Sequence, residues 1–138
     1  MTLHLALATA LLGAMLFFAG LVAPSVFRFL EGEAAGRFLR GLFPRYYLVG
    51  LAVSAIGVPV AVWEGGFVGA GVLAVVASGF ALSRFVLVGR INQARDAELA
   101  GDKAAGKRFK ALHRTSVLIN LAQMLALLYL VLRATEIL

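Results

Sequence analysis

The sequence predicts an all-α integral membrane protein, a four-helix bundle with an interfacial amphipathic helix between its first two spans. The chain has 138 residues, of which 62% are hydrophobic and 14% charged, whereas a soluble domain carries about 25% charged residues. Four segments contain the roughly 20 apolar residues that a membrane-spanning helix needs. Cysteine is absent, which excludes disulfides and thiolate metal sites.

The chain forms a single predicted membrane domain over residues 1–138. The first segment has no Lys or Arg before it and is too long for the apolar part of a signal peptide, so we interpret it as a retained span. The predicted spans cover residues 3–24, 46–63, 67–88 and 116–132, and the predicted cytoplasmic loops cover residues 25–45 and 89–115.

Basic residues are concentrated in alternate connections. Those of the first and third connections are Arg28, Arg37, Arg40, Arg45, Arg90, Arg95, Lys103, Lys107, Arg108, Lys110 and Arg114. Arg133 alone lies on the opposite side. The positive-inside rule therefore predicts a bacterial inner-membrane protein with both termini outside. The net charge of +6 is thus explained by topology, and nucleic acid is not an expected partner.

The first connection has the pattern of a helix that lies among lipid headgroups. Apolar residues recur there at steps of three or four, at Phe27, Leu30, Ala34, Phe38 and Leu42. We expect Phe43-Pro44 to end this helix, because proline continues a helix poorly. The simplest interpretation is a lipid-lying connector. A sharper one is recognition of anionic lipid headgroups by Arg37, Arg40 and Arg45.

The last span carries a row of polar side chains, here called the polar seam: His113, Ser116, Asn120 and Gln123. Their spacing confines them to an arc of about 80°, and Phe109 extends this face by one turn. Arg84, near the end of the third span, reaches the depth of Ser116 to Asn120 at about 1.5 Å per residue. Because polar groups in hydrocarbon are costly, the seam and Arg84 form a candidate ligand or partner site. The alternatives are interhelical hydrogen bonding for the seam and snorkelling for Arg84.

Several chemistries are not expected. His4 and His113 lie at opposite ends of the predicted bundle, across about 30 Å of hydrocarbon, and cannot ligate one centre in a monomer. No predicted span contains Asp or Glu, which disfavours a self-sufficient proton-coupled transporter. No phosphate-binding loop, HExxH motif or nucleophile elbow is present. We therefore expect no enzyme activity, no metal and no cofactor.

Small residues indicate how the spans approach one another. They recur in span one as Ala6, Ala10 and Ala14, in span two as Gly50, Ser54, Gly57 and Ala61, and in span three as Ala70, Ala74 and Ser78. Residues 34–52 and 104–122 also resemble each other once small gaps are allowed. Two parallel hairpin repeats and chance similarity are both compatible with this likeness.

Two motifs resemble signatures of the transmembrane protein 205-like family, four-span membrane proteins also classed as a domain of unknown function. One motif is Leu42, Phe43, Pro44 and Tyr46, and the other is Phe109, His113, Ser116, Asn120 and Leu121. The resemblance implies four spans over nearly the whole chain and gives weight to the polar seam. It implies no settled biochemical activity.

Three functional hypotheses follow. The first is a small accessory or binding protein whose polar seam holds a partner membrane subunit or polar ligand near the cytoplasmic face. The second is a component of an oligomeric transporter or channel, and the third and least favoured is a haem-binding redox protein. The seam stops near Gln123 and does not cross the whole bundle, which favours the first.

Overall fold

A computed structural model describes residues 1–135, and these residues form an all-helical protein. Its four helices are α1 (Leu3–Phe29), α2 (Gly32–Trp63), α3 (Phe67–Leu99) and α4 (Lys103–Ala134), and each is long and apolar enough to cross a membrane. Each predicted span lies inside one of these helices. The predicted bounds at Leu3, Trp63 and Phe67 coincide with those of the helices. Toward the basic connections the helices continue beyond the predicted spans, because hydropathy does not detect helix outside an apolar run.

The four helices pack as two antiparallel hairpins. α2 lies between α1 and α3, and α4 closes the arrangement by packing against both α3 and α1. The shared core is buried and mostly apolar; its largest fully buried apolar side chains are Met15, Leu73, Val76, Phe80 and Leu127.

Close packing of α2 against α3 depends on the small residues of α2. Gly50, Ser54, Gly57 and Ala61 are all buried, as their spacing predicts. A Cβ atom at Gly50 would overlap the Phe80 ring.

The other two small-residue stripes are buried only in part. Ala70 of α3 is buried and Ala6 of α1 is half-buried, whereas the remaining stripe residues are exposed, namely Ala10, Ala14, Ala74 and Ser78. α3 instead places Phe80 opposite Gly50 and Leu73 opposite Gly57, so that a bulky side chain fills the space beside each glycine of α2.

The predicted interfacial helix is wrong as a separate element. Residues 32–45 belong to the same helix as the second span, and α2 continues without interruption through Pro44 and Pro59. Proline removes one backbone donor and leaves a carbonyl without its partner. Nearby, the Arg45 side chain donates to the Gly41 carbonyl at 2.7 Å, one residue after the Arg40 carbonyl that Pro44 leaves without its helical donor.

The second predicted loop, residues 89–115, is also almost entirely helical. Only Ala100, Gly101 and Asp102 separate α3 from α4. Gly101 has φ of +106°, a conformation that glycine adopts easily and that ends α3. Asp102 then begins α4, because its carboxylate accepts hydrogen bonds from the Ala104 and Ala105 amides at 3.0 and 3.2 Å.

Both hairpins share an unusual local feature. A π-helical turn occurs in the second half of the first helix of each hairpin, over Phe18–Val22 in α1 and Ser83–Leu87 in α3. The second helix of each hairpin is 32 residues long. This common construction is consistent with the weak sequence repeat. π-Turns are rare and often occur at functional sites.

Candidate functional site

The bundle has two chemically different ends. The basic end contains the α1–α2 and α3–α4 connections. The terminal end contains the start of α1, the α2–α3 turn and the end of α4. Arg40 of α2 donates to Asp96 of α3 at 2.8 Å, so the two basic connections lie beside each other.

Three residues of the polar seam contact other helices or lie among them. Asn120 accepts a hydrogen bond from the Tyr46 hydroxyl of α2 at 2.8 Å. Gln123 is buried and donates to the Val76 carbonyl of α3 at 2.8 Å. Ser116 is buried beside the Tyr47 hydroxyl and donates to the His113 carbonyl. These groups are satisfied by protein, as buried polar groups in an apolar environment must be.

Aromatic rings surround the Tyr46–Asn120 contact. The Phe18 ring, in the π-turn of α1, stacks on Tyr46 with centroids 4.3 Å apart. Phe80 meets Tyr46 edge-on at 6.0 Å. Tyr46 therefore links α1, α3 and α4 at one depth, a role that its sequence position at a predicted membrane interface did not indicate.

Arg84 lies in the π-turn of α3 and is half-buried. Its Nε atom is buried and has no hydrogen-bond partner within residues 1–135. The guanidinium carbon lies 5.5 Å from the centroid of the neighbouring Phe85 ring, which is 66% exposed. Arg84 thus has unused donor capacity beside an exposed aromatic ring.

The remaining two predicted site residues lie closer to the basic end. Phe109 and His113 stack with nearly parallel rings, 6.0 Å apart between centroids. The Arg95 guanidinium of α3 lies 5.4 Å from the Phe109 centroid, in the range of a cation–π contact. His113 is exposed, so the structure separates it from the buried part of the seam.

The three arginines predicted to meet anionic lipid already have acceptors in the protein. Arg37 pairs with Glu33 at 2.7 Å, and both side chains are largely exposed. Arg40 pairs with Asp96, and Arg45 donates to the Gly41 carbonyl. Exposed pairs of this kind are worth about 0–1 kcal/mol, so they leave these charges available to other anions.

At the terminal end the structure brings together two residues that the sequence analysis had left apart. His4 is 6% exposed, and its Nδ1 atom lies 2.6 Å from Oε2 of Glu64. The Glu64 carboxylate also accepts hydrogen bonds from the Leu3 and His4 amides, at 2.8 and 3.1 Å. Glu64 therefore caps α1 from the α2–α3 turn.

These hydrogen bonds, above all the one from the His4 side chain, hold the pKa of Glu64 below its ordinary value. The predicted topology had already placed both residues at the same face of the membrane. What it could not supply was the helix packing that brings residues 60 positions apart into contact.

Within residues 1–135 no group of three or more metal-ligating side chains could hold a metal ion. The architecture defines the class of protein: it is all-helical and has four candidate membrane spans. Its apolar core is accompanied by polar contacts between helices. The chain belongs to the family described as a domain of unknown function (DUF4149), whose model matches residues 6–100.

The matched range contains the motif at Leu42 to Tyr46 and ends before Phe109. No curated protein matches the chain. No solved structure matches it either.

Proposed function

We propose that the protein is an accessory or binding protein of the bacterial inner membrane, with its basic end in the cytoplasm and both termini outside. Its partner is a membrane subunit that presents an acidic group to Arg84. No reaction is assigned to it. The orientation rests on the concentration of Lys and Arg at the basic end.

The observation that carries this proposal is the buried, unpartnered Nε of Arg84. Buried donors without partners are rare, and the planar guanidinium matches carboxylate or phosphate oxygens in pairs. In an apolar surrounding a charge calls for a partner of opposite sign. The exposed Phe85 ring beside Arg84 gives that partner an apolar surface to contact.

The polar seam has a supporting role in this proposal. Asn120 and Gln123 fix α4 against α2 and α3, and so hold in place the helix that carries Arg84. Toward the basic end, Phe109 of α4 contacts Arg95 of α3 and stacks with His113. The likeness to the transmembrane protein 205-like family remains a prediction from the two motifs, and the proposal does not depend on it.

The test compares gently extracted wild-type protein with Arg84→Leu by native mass spectrometry. Arg90→Leu is the matched control, because Arg90 is exposed on the same helix. We expect a bound protein subunit in wild type and Arg90→Leu that Arg84→Leu loses. Identical bound masses in all three proteins would contradict the proposal, and loss of a lipid alone would assign Arg84 to headgroup binding. Solute flux through the purified protein in liposomes would instead favour the oligomeric transporter or channel.

A further inference from the structure

A cleft of about 360 Å³ opens at the terminal end of the bundle. It lies between the start of α1, the α2–α3 turn, the first turn of α3 and the end of α4. Its polar lining comes from His4, Arg133 and the backbone of residues 66–69, and Leu5 and Leu130 contribute apolar surface. Arg84 lies about four helical turns further along α3 and does not line this cleft, so nothing about it depends on the proposed function.

His4 presents one ring nitrogen to this cleft. An ionised carboxylate only accepts hydrogen bonds, so the short contact with Glu64 assigns the Nδ1 proton to a hydrogen bond toward that carboxylate. Nε2 is then the remaining functional atom of the ring. It has no hydrogen-bond partner within residues 1–135, although the residue is 6% exposed.

The Nε2 atom lies over the first turn of α3. A Cβ atom at Gly66 would be 2.9 Å from Nε2, and one at Gly69 would be 2.8 Å from it. Glycine at these two positions therefore makes room for the ring. The Phe67, Val68 and Gly69 amides begin α3 and have no acceptor within the helix, and Gly66 supplies no side chain to cap them.

Arg133 supplies a full positive charge on the opposite wall. Its side chain is exposed and uses one nitrogen to contact the Tyr129 hydroxyl at 3.2 Å. A guanidinium has five N–H donors, so most of its donors remain free. Helix N-termini attract anions through their free amides and dipole, and here an arginine and a buried histidine face the same space.

We propose that this cleft binds a phosphate group, either of a free phosphate compound or of a lipid headgroup. The first-turn amides of α3 and the Arg133 guanidinium donate to oxygen atoms of the phosphate, and Nε2 of His4, whose ring proton lies on Nδ1, accepts from a phosphate O–H group. A phosphate monoanion carries acceptor oxygens and an O–H group together, whereas an ionised carboxylate only accepts.

The charged side chains at the cleft are Glu64 from the α2–α3 turn, which holds the Nδ1 proton of His4, and Arg133 from α4. The first turn of α3 contributes no titratable side chain. The ligand therefore has to supply the O–H group that Nε2 accepts.

Isothermal titration of the purified protein in maltoside with inorganic phosphate tests this inference. We expect saturable binding that is tighter at about pH 6 than at about pH 8, because phosphate loses the O–H group of its monoanion as the pH rises through this range. Arg133→Gln and His4→Gln should each weaken it by about tenfold or more, as expected for loss of a charge-assisted hydrogen bond. Arg114→Gln removes an equal charge from the basic end and should leave binding unchanged.

A second arm identifies the source of the phosphate. Native mass spectrometry counts phosphatidylglycerol molecules retained after extraction. If the ligand is a lipid headgroup, wild type and Arg114→Gln retain one lipid that Arg133→Gln loses, and inorganic phosphate binds only after delipidation. If neither phosphate nor lipid distinguishes Arg133→Gln from Arg114→Gln, the inference is overturned. Arg133 is exposed, so its replacement leaves the fold intact and this comparison holds even if His4→Gln does not fold.

Discussion

The Tyr46 hydroxyl donates to Oδ1 of Asn120 across 2.8 Å, joining α2 of the first hairpin to α4 of the second. The Tyr46 ring also stacks on Phe18 in the π-turn of α1. The middle of the polar seam is therefore occupied by the protein itself. A ligand or partner that uses the seam must therefore contact hydrogen-bonding groups other than Oδ1 of Asn120.

The first prediction concerns this link. Tyr46→Phe removes the donor and should lower the free energy of unfolding by about 0.6–1 kcal/mol, the usual worth of such a contact. Asn120→Leu should lower it more, because the Tyr46 hydroxyl is left without its acceptor. Thermal unfolding in maltoside measures both, and the double variant gives the coupling. Tyr129→Phe is the control, since Tyr129 is 44% exposed; equal effects of Tyr46→Phe and Tyr129→Phe would contradict the assigned role.

The second prediction concerns the closest approach of α2 and α3. Gly50→Ala places a methyl group against the Phe80 ring and should destabilise the protein by about 1–3 kcal/mol, as overpacking does. Gly71→Ala is the control, because nothing lies within 4 Å of its added Cβ; alanine favours a helix over glycine, so this variant should match or exceed wild type. Both are compared by thermal unfolding.

Recovery of stability in Gly50→Ala combined with Phe80→Leu would show that the ring causes the loss. The explanation fails if Gly50→Ala unfolds at the same temperature as Gly71→Ala.

The third prediction concerns acid stability. The pKa of Glu64 is held below its ordinary value, mainly by the hydrogen bond from His4. A carboxylate with a lowered pKa stabilises the folded state above its unfolded-state pKa, and this contribution is lost as the pH falls through the folded-state pKa. Stability should therefore decline as the pH falls below the ordinary pKa of glutamate, and Glu64→Gln should make that decline less steep. Glu33 is an exposed carboxylate paired with Arg37, so Glu33→Gln should leave the decline unchanged. Thermal melts across the acidic range compare the three proteins.

The fourth prediction concerns anionic lipid at the basic end. Replacing Arg37 and Arg45 together by glutamine should reduce phosphatidylglycerol binding, because each basic residue near an anionic surface contributes about 1 kcal/mol. Glu33→Gln should increase it, since Arg37 then loses its ion-pair partner. Lipid titrations followed by native mass spectrometry measure both changes. Unaltered lipid binding in both variants would remove these arginines from the predicted lipid site.

Hydropathy predicted the number and order of the helices because an apolar run of this length has few alternatives. It could not tell which face of α1 packs inward. Both the Ala10–Ala14 face and the face containing Met15 are apolar, and only the shape of the neighbouring helices selects between them. The small stripe of α2 was predictable because Gly50 and Gly57 permit close approach whichever helix lies opposite.

The candidate sites were predictable to different degrees. Periodicity grouped Ser116, Asn120 and Gln123, since helix geometry fixes which residues share a face. It could not supply Tyr46 or the Val76 carbonyl as their partners. The pairing of His4 with Glu64 depends on where two helix ends meet, and local patterns contain no information about that distance.

The uninterrupted course of α2 through Pro44 has a mechanical consequence. A helix of 32 residues is about 48 Å long at 1.5 Å per residue, which exceeds the roughly 30 Å of hydrocarbon in a bilayer. The part that carries Arg40 and the part that carries Gly50 and Gly57 therefore belong to one continuous helix, and the Arg40–Asp96 ion pair ties its first turns to α3.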